Sequence, residues 1–130
     1  MVQVIRPGDR DRGDTAQTSG MTREAAICTS LTGARGLWMG MGRNQPGAVS
    51  GAHHHGESES GIYVLTGRIR FRWGDRLEHV VDAKAGDFVF VPPHEVHVEE
   101  NLSPDAEVDF VVARNTAEAI VVNVPDPRGL

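Results

Sequence analysis

The most informative stretch of the sequence is Gly47-Ala48-Val49-Ser50-Gly51-Ala52-His53-His54-His55-Gly56-Glu57-Ser58-Glu59. A further histidine, His97, lies about forty residues later in the chain. Because side chains on a strand alternate between faces, His53 and His55 share one face and His54 points to the other. Two imidazoles on one face, a nearby carboxylate and a third imidazole from another strand would form a shell for one metal ion. The alternative is a solvated histidine run or a tag, but internal histidines between strand-like segments make a poor tag.

Composition and charge exclude several classes of protein. The chain has 130 residues, the length of one domain, with a net charge of −5 and a pI near 5.6. This balance provides no basic surface for nucleic acid. Cys28 is the only cysteine, so no disulfide can form within the chain, and we expect a reducing, cytoplasmic location. We expect no signal peptide, and no apolar run approaches the roughly eighteen residues of a membrane helix.

Short apolar runs separated by Gly, Pro, Asn and Asp predict an all-β chain with almost no helix. Their β-branched and aromatic content, with about one turn every eight to twelve residues, favours a sandwich or a barrel. Thr66-Gly67-Arg68 and Trp73-Gly74-Asp75-Arg76 predict tight hairpins. We expect one helical turn at most, at 116–119. The predicted strands are 25–31, 37–41, 62–66, 68–73, 77–81, 88–91, 96–99, 108–113 and 119–124.

Residues 1–20 are predicted to form a polar arm, followed by a single barrel domain over residues 21–130. The run from Arg6 to Asp14 mixes both charges with turn formers and cannot bury much surface, so we expect a solvated arm with a short strand near 2–5. We also expect a homodimer. A small barrel exposes edge strands and apolar outer faces, here Tyr63, Leu65 and Phe71, and pairing two barrels by exchange of the N-terminal strand would cover them.

Two sets of spaced residues resemble the two sequence motifs of the cupin family, which are small double-stranded β-helix (jelly-roll) barrels with a metal at the centre. The first motif, Gly-x5-His-x-His-x3–4-Glu-x6-Gly, matches Gly47, His53-His54-His55, Glu59 and Gly67. The second, Gly-x5-Pro-x-Gly-x2-His-x3-Asn, matches Gly86, Pro92-Pro93-His94, His97 and Asn101, with His94 in a glycine slot. The resemblance covers about residues 35–113 and implies a cupin-type jelly-roll barrel, with His53, His55, Glu59 and His97 as metal ligands.

The carboxylate of the first motif is open to more than one interpretation. Glu59 has the expected spacing from the histidines, but seven residues separate it from Gly67, where the motif has six. Counting back from Gly67 puts Ser60 in the carboxylate slot and turns Glu59 away unless a bulge re-aims it. Glu57 is a third possibility. We favour Glu59 and give more weight to its spacing from the histidines than to its spacing from Gly67, because the loop that carries these ligands has to close around the metal ion.

Other residues are candidates for contact with a substrate. The strand before the histidines could line a pocket, and alternation from Ser60 sends two further residues inward. The substrate-pocket candidates are Trp38, Met41, Arg43, Ile62 and Val64. Simple core packing, and for Arg43 an exposed surface position, are the alternatives. His94 is either a solvent-facing turn residue or an acid or base for a bound substrate.

Three neutral imidazoles and one carboxylate would leave one or two positions on the metal for water, oxygen or substrate. The family that this chain resembles includes dioxygenases, isomerases, polyketide cyclases and proteins that only bind small ligands. We therefore predict a metal-dependent enzyme, dioxygenase-like or isomerase/cyclase-like, acting on a small oxygenated organic molecule. Its cofactor would be one divalent transition metal per chain (Fe, Mn, Zn or Ni). The alternative is a non-catalytic ligand-binding cupin, a sensor or storage module, which would have no need of all three histidines.

Overall fold

The computed structural model of this chain describes residues 1–13 and 20–130. Its strands are β1 (Met21–Ile27), β2 (Trp38–Asn44), β3 (His53–His54), β4 (Ser60–Thr66), β5 (Arg68–Trp73), β6 (His79–Lys84), β7 (Phe88–Val91), β8 (His97–Glu100), β9 (Val108–Arg114) and β10 (Val122–Asn123). They form two antiparallel sheets, in the orders β1-β2-β9-β4-β7 and β10-β3-β8-β5-β6. From β2 onward the chain alternates between the two sheets, except at the hairpin of β5 and β6, which lie in the same sheet. The predicted all-β jelly-roll architecture is confirmed.

The core lies between the two sheets, because every second residue of the central strands points inward. In β9 the buried Val108, Phe110 and Val112 alternate with partly exposed neighbours. Ile69 and Phe71 of β5 join the same apolar cluster from the second sheet. Burial of this apolar surface, worth about 25 cal/mol per Å², is the main force that holds the two sheets together.

Two glycines of β2 let the first sheet pack closely on its own core. A Cβ atom added to Gly42 would collide with the ring of Phe110, and one added to Gly40 would collide with the carbonyl oxygen of Glu24. Both glycines are buried and lie on the inward face of β2. The missing side chains therefore provide the space that the large inward side chains of the neighbouring positions occupy.

Several predicted boundaries differ from the structure. The predicted strand 25–31 is displaced: β1 begins at Met21, and a single helical turn, α1 (Thr29–Thr32), follows it. This turn ends at Gly33, whose φ of 75° lets its N–H donate to the Thr29 carbonyl. The predicted strand 119–124 is reduced to the two residues of β10. The helical turn that was allowed at 116–119 does not form, and β3 was not among the predicted strands. In the described ranges, no helix has the length and apolar character needed to cross a membrane.

The N-terminal arm is partly packed against the first sheet. Asp11 and Ala25 exchange two backbone hydrogen bonds, of 2.9 and 2.7 Å. Ile5 lies against the outer surface of β2, beside Met39 and Met41. The strand predicted near 2–5 does not form. Residues 14–19 of the predicted arm lie outside the described residues.

Gly42→Ala is expected to lower the free energy of unfolding by about 1–3 kcal/mol, because the added methyl group would overpack the core against Phe110. Urea unfolding measures this difference. Gly61→Ala is the matched control: Gly61 is exposed on β4, and a Cβ there meets no atom within 4 Å. Equal stability of the Gly42→Ala protein and the wild type would contradict the packing described here.

Candidate metal centre

Three histidines converge inside the barrel. His53 on β3 lies directly opposite His97 on β8 in the antiparallel ladder, and His55 follows two residues after His53. One ring nitrogen of each lies within 4.8 Å of those of the other two, and all three side chains are buried. The structure thus brings together the three histidines that the sequence analysis proposed as ligands, as strand alternation requires for His53 and His55.

Backbone carbonyls orient the three rings. Each Nδ1 lies within hydrogen-bond distance of a carbonyl oxygen, and since a carbonyl can only accept, Nδ1 carries the proton. The acceptors for His53, His55 and His97 are Gly51, Ile120 and Glu95, at 2.7, 2.7 and 2.9 Å. In the neutral rings Nε2 therefore holds a lone pair. Among the described residues, the buried Nε2 atoms of His53 and His97 have no hydrogen-bond partner. Nitrogens presented in this way suit a divalent transition metal.

Burial keeps two of these imidazoles neutral. It lowers the pKa of His53 to about 4. Burial, and to a smaller extent the positive charge of Arg114, lowers the pKa of His55 to about 2. Because only a neutral imidazole can bind a metal, both rings are ready to act as ligands at neutral pH.

Glu99 is a buried carboxylate beside this cluster that the sequence analysis missed. It follows His97 by two residues on β8, and its side chain is 2% exposed. Its Oε1 lies 3.4 Å from Nε2 of His97. Burial alone would raise the pKa of Glu99, but the His97 and His53 rings and the Arg23 cation outweigh it and lower the pKa to about 2. Alternation from His97 along the strand was the signal that could have identified it.

Glu59, the expected fourth ligand, lies on the surface instead. Its side chain is exposed, and its Oε1 accepts a hydrogen bond of 3.4 Å from Asn115. Ser60 takes the inward position and accepts a 3.0 Å hydrogen bond from Nε of Arg114. The register shift of β4 against β9 falls between Val64 and Thr66, so no bulge re-aims Glu59. The predicted position of Glu59 is therefore corrected: Ser60, not Glu59, points into the barrel. Glu57, the third candidate for the carboxylate ligand, is also exposed.

An apolar cavity of about 390 Å³ reaches the histidine cluster between strands β5, β6 and β7. Its lining is Phe71, Trp73, Val81, Val89, Phe90, Val91, Pro92, Glu95 and His97. Phe71, expected on the outer face, is thus an inward residue, because the apolar face of β5 packs into the barrel. The cavity offers an organic molecule a place next to His97.

The predicted substrate-pocket residues lie elsewhere. Trp38, Ile62 and Val64 are buried in the apolar core. Met41 faces the outer side of the first sheet, and the exposed Arg43 forms ion pairs of 2.9 Å with Glu107 and 2.7 Å with Asp109. As the structure describes it, the cavity beside His97 is lined by none of the five candidates. Inward direction on a strand was predictable; which inward residues border the opening was not.

His94, the predicted acid or base, is on the outside of the barrel. It is exposed, with a φ of 60°, and lines a separate cleft together with His54. The two rings are 5.8 Å apart. His54 points away from the triad, as alternation predicts, and its Nδ1 accepts a hydrogen bond from the N–H of Gly56.

Comparisons with known proteins agree with this architecture. A family model described as a cupin domain matches residues 41–114. The polyketide cyclase RemF from Streptomyces resistomycificus is 22% identical, with a TM-score of 0.75, over 98% of this chain and 91% of that one. An S161A mutant of the Bacillus subtilis oxalate decarboxylase OxdC is 19% identical (TM-score 0.72; 87% of this chain, 30% of that one). An uncharacterized conserved protein with a double-stranded β-helix domain from Klebsiella pneumoniae subsp. pneumoniae MGH 78578 is 18% identical (TM-score 0.69; 95% and 98%). No curated protein matches.

Protein purified without chelator is expected to carry about one divalent ion per chain, held by the three imidazoles. His97→Ala should lose the metal, because it removes one converging ligand, whereas His54→Ala should retain it, because His54 faces outward. Elemental analysis by plasma mass spectrometry measures both. Metal at wild-type occupancy in the His97→Ala protein would show that this cluster is not the binding site.

Acid is expected to destabilise the metal-free protein. An unfolded histidine titrates near pH 6.5, whereas the folded pKa of His53 is about 4. Below that pH the unfolded state binds protons that the folded state excludes. The free energy of unfolding should therefore fall with pH, by about 1.4 kcal/mol per unit for each buried neutral histidine, until the folded pKa is reached.

Urea unfolding of chelator-treated protein between pH 7 and pH 5 measures this slope, and His53→Gln should reduce it. A stability that rises on acidification over this range would contradict the burial of neutral rings.

Proposed function

Because this chain belongs to the cupin domain family, whose model matches more than half of it, we propose that it is a metal-dependent enzyme acting on a small oxygenated organic molecule. One observation carries the proposal: three buried imidazoles converge, and one of them, His97, lines an apolar cavity large enough for an organic ligand. A protein that only needed a stable barrel would gain more from apolar side chains at these positions.

The residues present fit a divalent transition metal (Fe, Mn, Zn or Ni). Nε2 of His53, His55 and His97 would hold it, while the Nδ1 hydrogen bonds keep the rings in place. When bound, such an ion supplies a Lewis acid that polarises a carbonyl or enolate oxygen. The apolar walls of the cavity exclude water from the substrate and strengthen electrostatic interactions there.

We favour non-redox cyclase-like or isomerase-like chemistry on an aromatic or polyketide-like molecule. The rings of Phe71 and Trp73 line the cavity and suit a flat, conjugated substrate. The likeness to a protein described as a polyketide cyclase, which spans nearly all of both chains, supports the same choice. Dioxygenase-like chemistry at the same centre is distinguished by the experiment below.

Glu95 takes the acid or base role that the sequence analysis assigned to His94. It is the ionisable residue other than His97 among those described around the cavity, and its side chain is half-buried. Cyclisation or isomerisation of an enolisable ketone requires a group that removes and returns a proton. A carboxylate at the cavity wall can do this while the Glu95 carbonyl continues to orient His97.

We also propose that the chain forms a homodimer through the outer face of the first sheet. Tyr63 and Phe88 pack with their rings 4.7 Å apart on this face, and Phe88, Phe90 and Leu65 are 81, 63 and 41% exposed. An apolar patch of this kind is typical of an interface. Light scattering should give about twice the chain mass of 14.1 kDa, and a monomeric mass at micromolar concentration would refute the dimer.

The catalytic proposal is tested with metal-loaded protein, phenols and 1,3-diketones as substrates, and an oxygen electrode. Turnover without oxygen consumption is the expected result, and oxygen uptake in step with turnover would indicate dioxygenase-like chemistry instead. Binding without turnover of any compound would favour the alternative of a ligand-binding module.

Val81→Trp is expected to weaken substrate binding by about tenfold or more, because the indole would fill the cavity. Val80→Trp is the matched control: the two valines are adjacent on β6, similarly exposed (50 and 48%), and point to opposite faces. Metal content should not change in either variant. Equal binding by both variants would show that the substrate does not enter this cavity.

A further inference from the structure

We propose that Glu99 is the carboxylate ligand of the metal centre, in place of the carboxylate of the first motif, whose slot Ser60 occupies. The inference rests on the proposed metal site at the three histidines and adds a ligand to it. Neither the motif nor the position of Glu59 points to this residue. It follows from the surroundings of His97 in the folded barrel.

Nε2 of His97 and Oε1 of Glu99 face each other at this point in the barrel. Nδ1 of His97 donates its proton to the Glu95 carbonyl, which leaves Nε2 as the ring nitrogen that can bind a metal. The Glu99 oxygen 3.4 Å away is an acceptor. Both side chains are 2% exposed, so bulk water does not separate them. A buried nitrogen and a buried carboxylate oxygen at this distance are stabilised by a cation between them, either a proton on Nε2 or a metal ion.

The distance suits a shared metal ion. Metal bonds of about 2.1 Å at tetrahedral angles would place two ligand atoms about 3.4 Å apart, which is the observed separation. The other carboxylate oxygen, Oε2, is buried and has no hydrogen-bond partner in the part of the chain that the structure describes. Buried carboxylate oxygens with a purely structural role are normally hydrogen-bonded. Among the described residues, only the three histidines have ligand atoms that all lie within 4.8 Å of one another, so the Glu99 carboxylate, whose Oε2 is free of hydrogen bonds, would turn toward the centre when a metal binds.

The backbone of Glu99 is held by the same loop that carries the histidines. The N–H of Ser50 donates to the Glu99 carbonyl, and the Glu99 N–H donates to Oγ of Ser50, both at 2.9 Å. Ser50 precedes His53 by three residues. Since His53 also pairs with His97 across the ladder, the carboxylate and two of the imidazoles belong to one rigid unit.

The slot that the motif reserves for a carboxylate is already used. Ser60 accepts a hydrogen bond from Arg114, whose guanidinium also lies 5.2 Å from the Trp38 ring. A neutral hydroxyl brings no negative charge to the centre. Arg23, which is also buried, interacts electrostatically with Glu99. The competing role for Glu99 is therefore that of a counter-ion to Arg23 without contact to the metal.

Titration of the metal-free full-length protein with Co²⁺ separates these roles, with binding and the visible absorption of the ion recorded together. Glu99→Gln is expected to bind Co²⁺ about tenfold more weakly or worse and to shift the absorption bands, because the ligand set of the ion changes. Glu59→Gln, which removes the surface carboxylate favoured by motif spacing, should match the wild type in both.

Weaker binding by Glu99→Gln with a wild-type spectrum would overturn the assignment, since it would mean that Glu99 acts only through its charge. The assignment would also be overturned if Glu99→Gln bound Co²⁺ with the affinity and the spectrum of the wild type. If circular dichroism shows that Glu99→Gln is unfolded, Glu99→Asp replaces it in the experiment. Glu99→Asp keeps the negative charge near Arg23 but shortens the side chain, so its carboxylate no longer reaches the metal. An unshifted Co²⁺ spectrum in Glu99→Asp would contradict the assignment equally. Wild-type protein that binds no Co²⁺ would instead reject the metal centre of the proposed function.

Discussion

Hydrogen bonds from three imidazole Nδ1 atoms to backbone carbonyls fix the geometry of the metal centre. Each ring sits in a barrel interior where an unsatisfied polar group is costly. One nitrogen is satisfied by the backbone, and the other is turned toward the shared centre. The carbonyls come from the loop before β3, the turn before β8 and the segment before β10, so the centre forms only once these three parts of the chain have assembled.

The barrel interior is divided between an apolar part and a polar part. Apolar residues of both sheets form one cluster, which provides most of the stability. The polar part holds the three histidines, Glu99, Arg23 and Arg114, all nearly inaccessible to solvent. Burial, and to a smaller extent the positive charge of Arg23, lowers the pKa of Arg114 to about 9. Arg114 therefore remains a cation at neutral pH. A barrel that buries these charges beside converging imidazoles sacrifices stability for a defined electrostatic environment, as functional sites do.

Access to the centre follows from the order of the strands. β7 and β6 are the edge strands of their respective sheets, and the cavity beside His97 lies between them. The sheets part at this edge, and aliphatic and aromatic side chains line the gap. The same edge carries the exposed Phe88 and Phe90 on the outer face of β7. The cavity and the proposed dimer face are therefore close together.

The amino-acid pattern was sufficient to predict the fold class, the strands with strong alternation and the three histidines. β5 and β7 have the predicted bounds, and the spacing of His53 and His55 places both on one face of a strand whatever the rest of the chain does. The folded structure was needed to establish that Ser60 rather than Glu59 faces inward, that Glu99 lies 3.4 Å from Nε2 of His97, and that Phe71 lines the cavity. The physical reason is that alternation along one strand is a local property. Register between strands and the gap between two sheets depend instead on contacts between residues far apart in the chain, which no local pattern encodes.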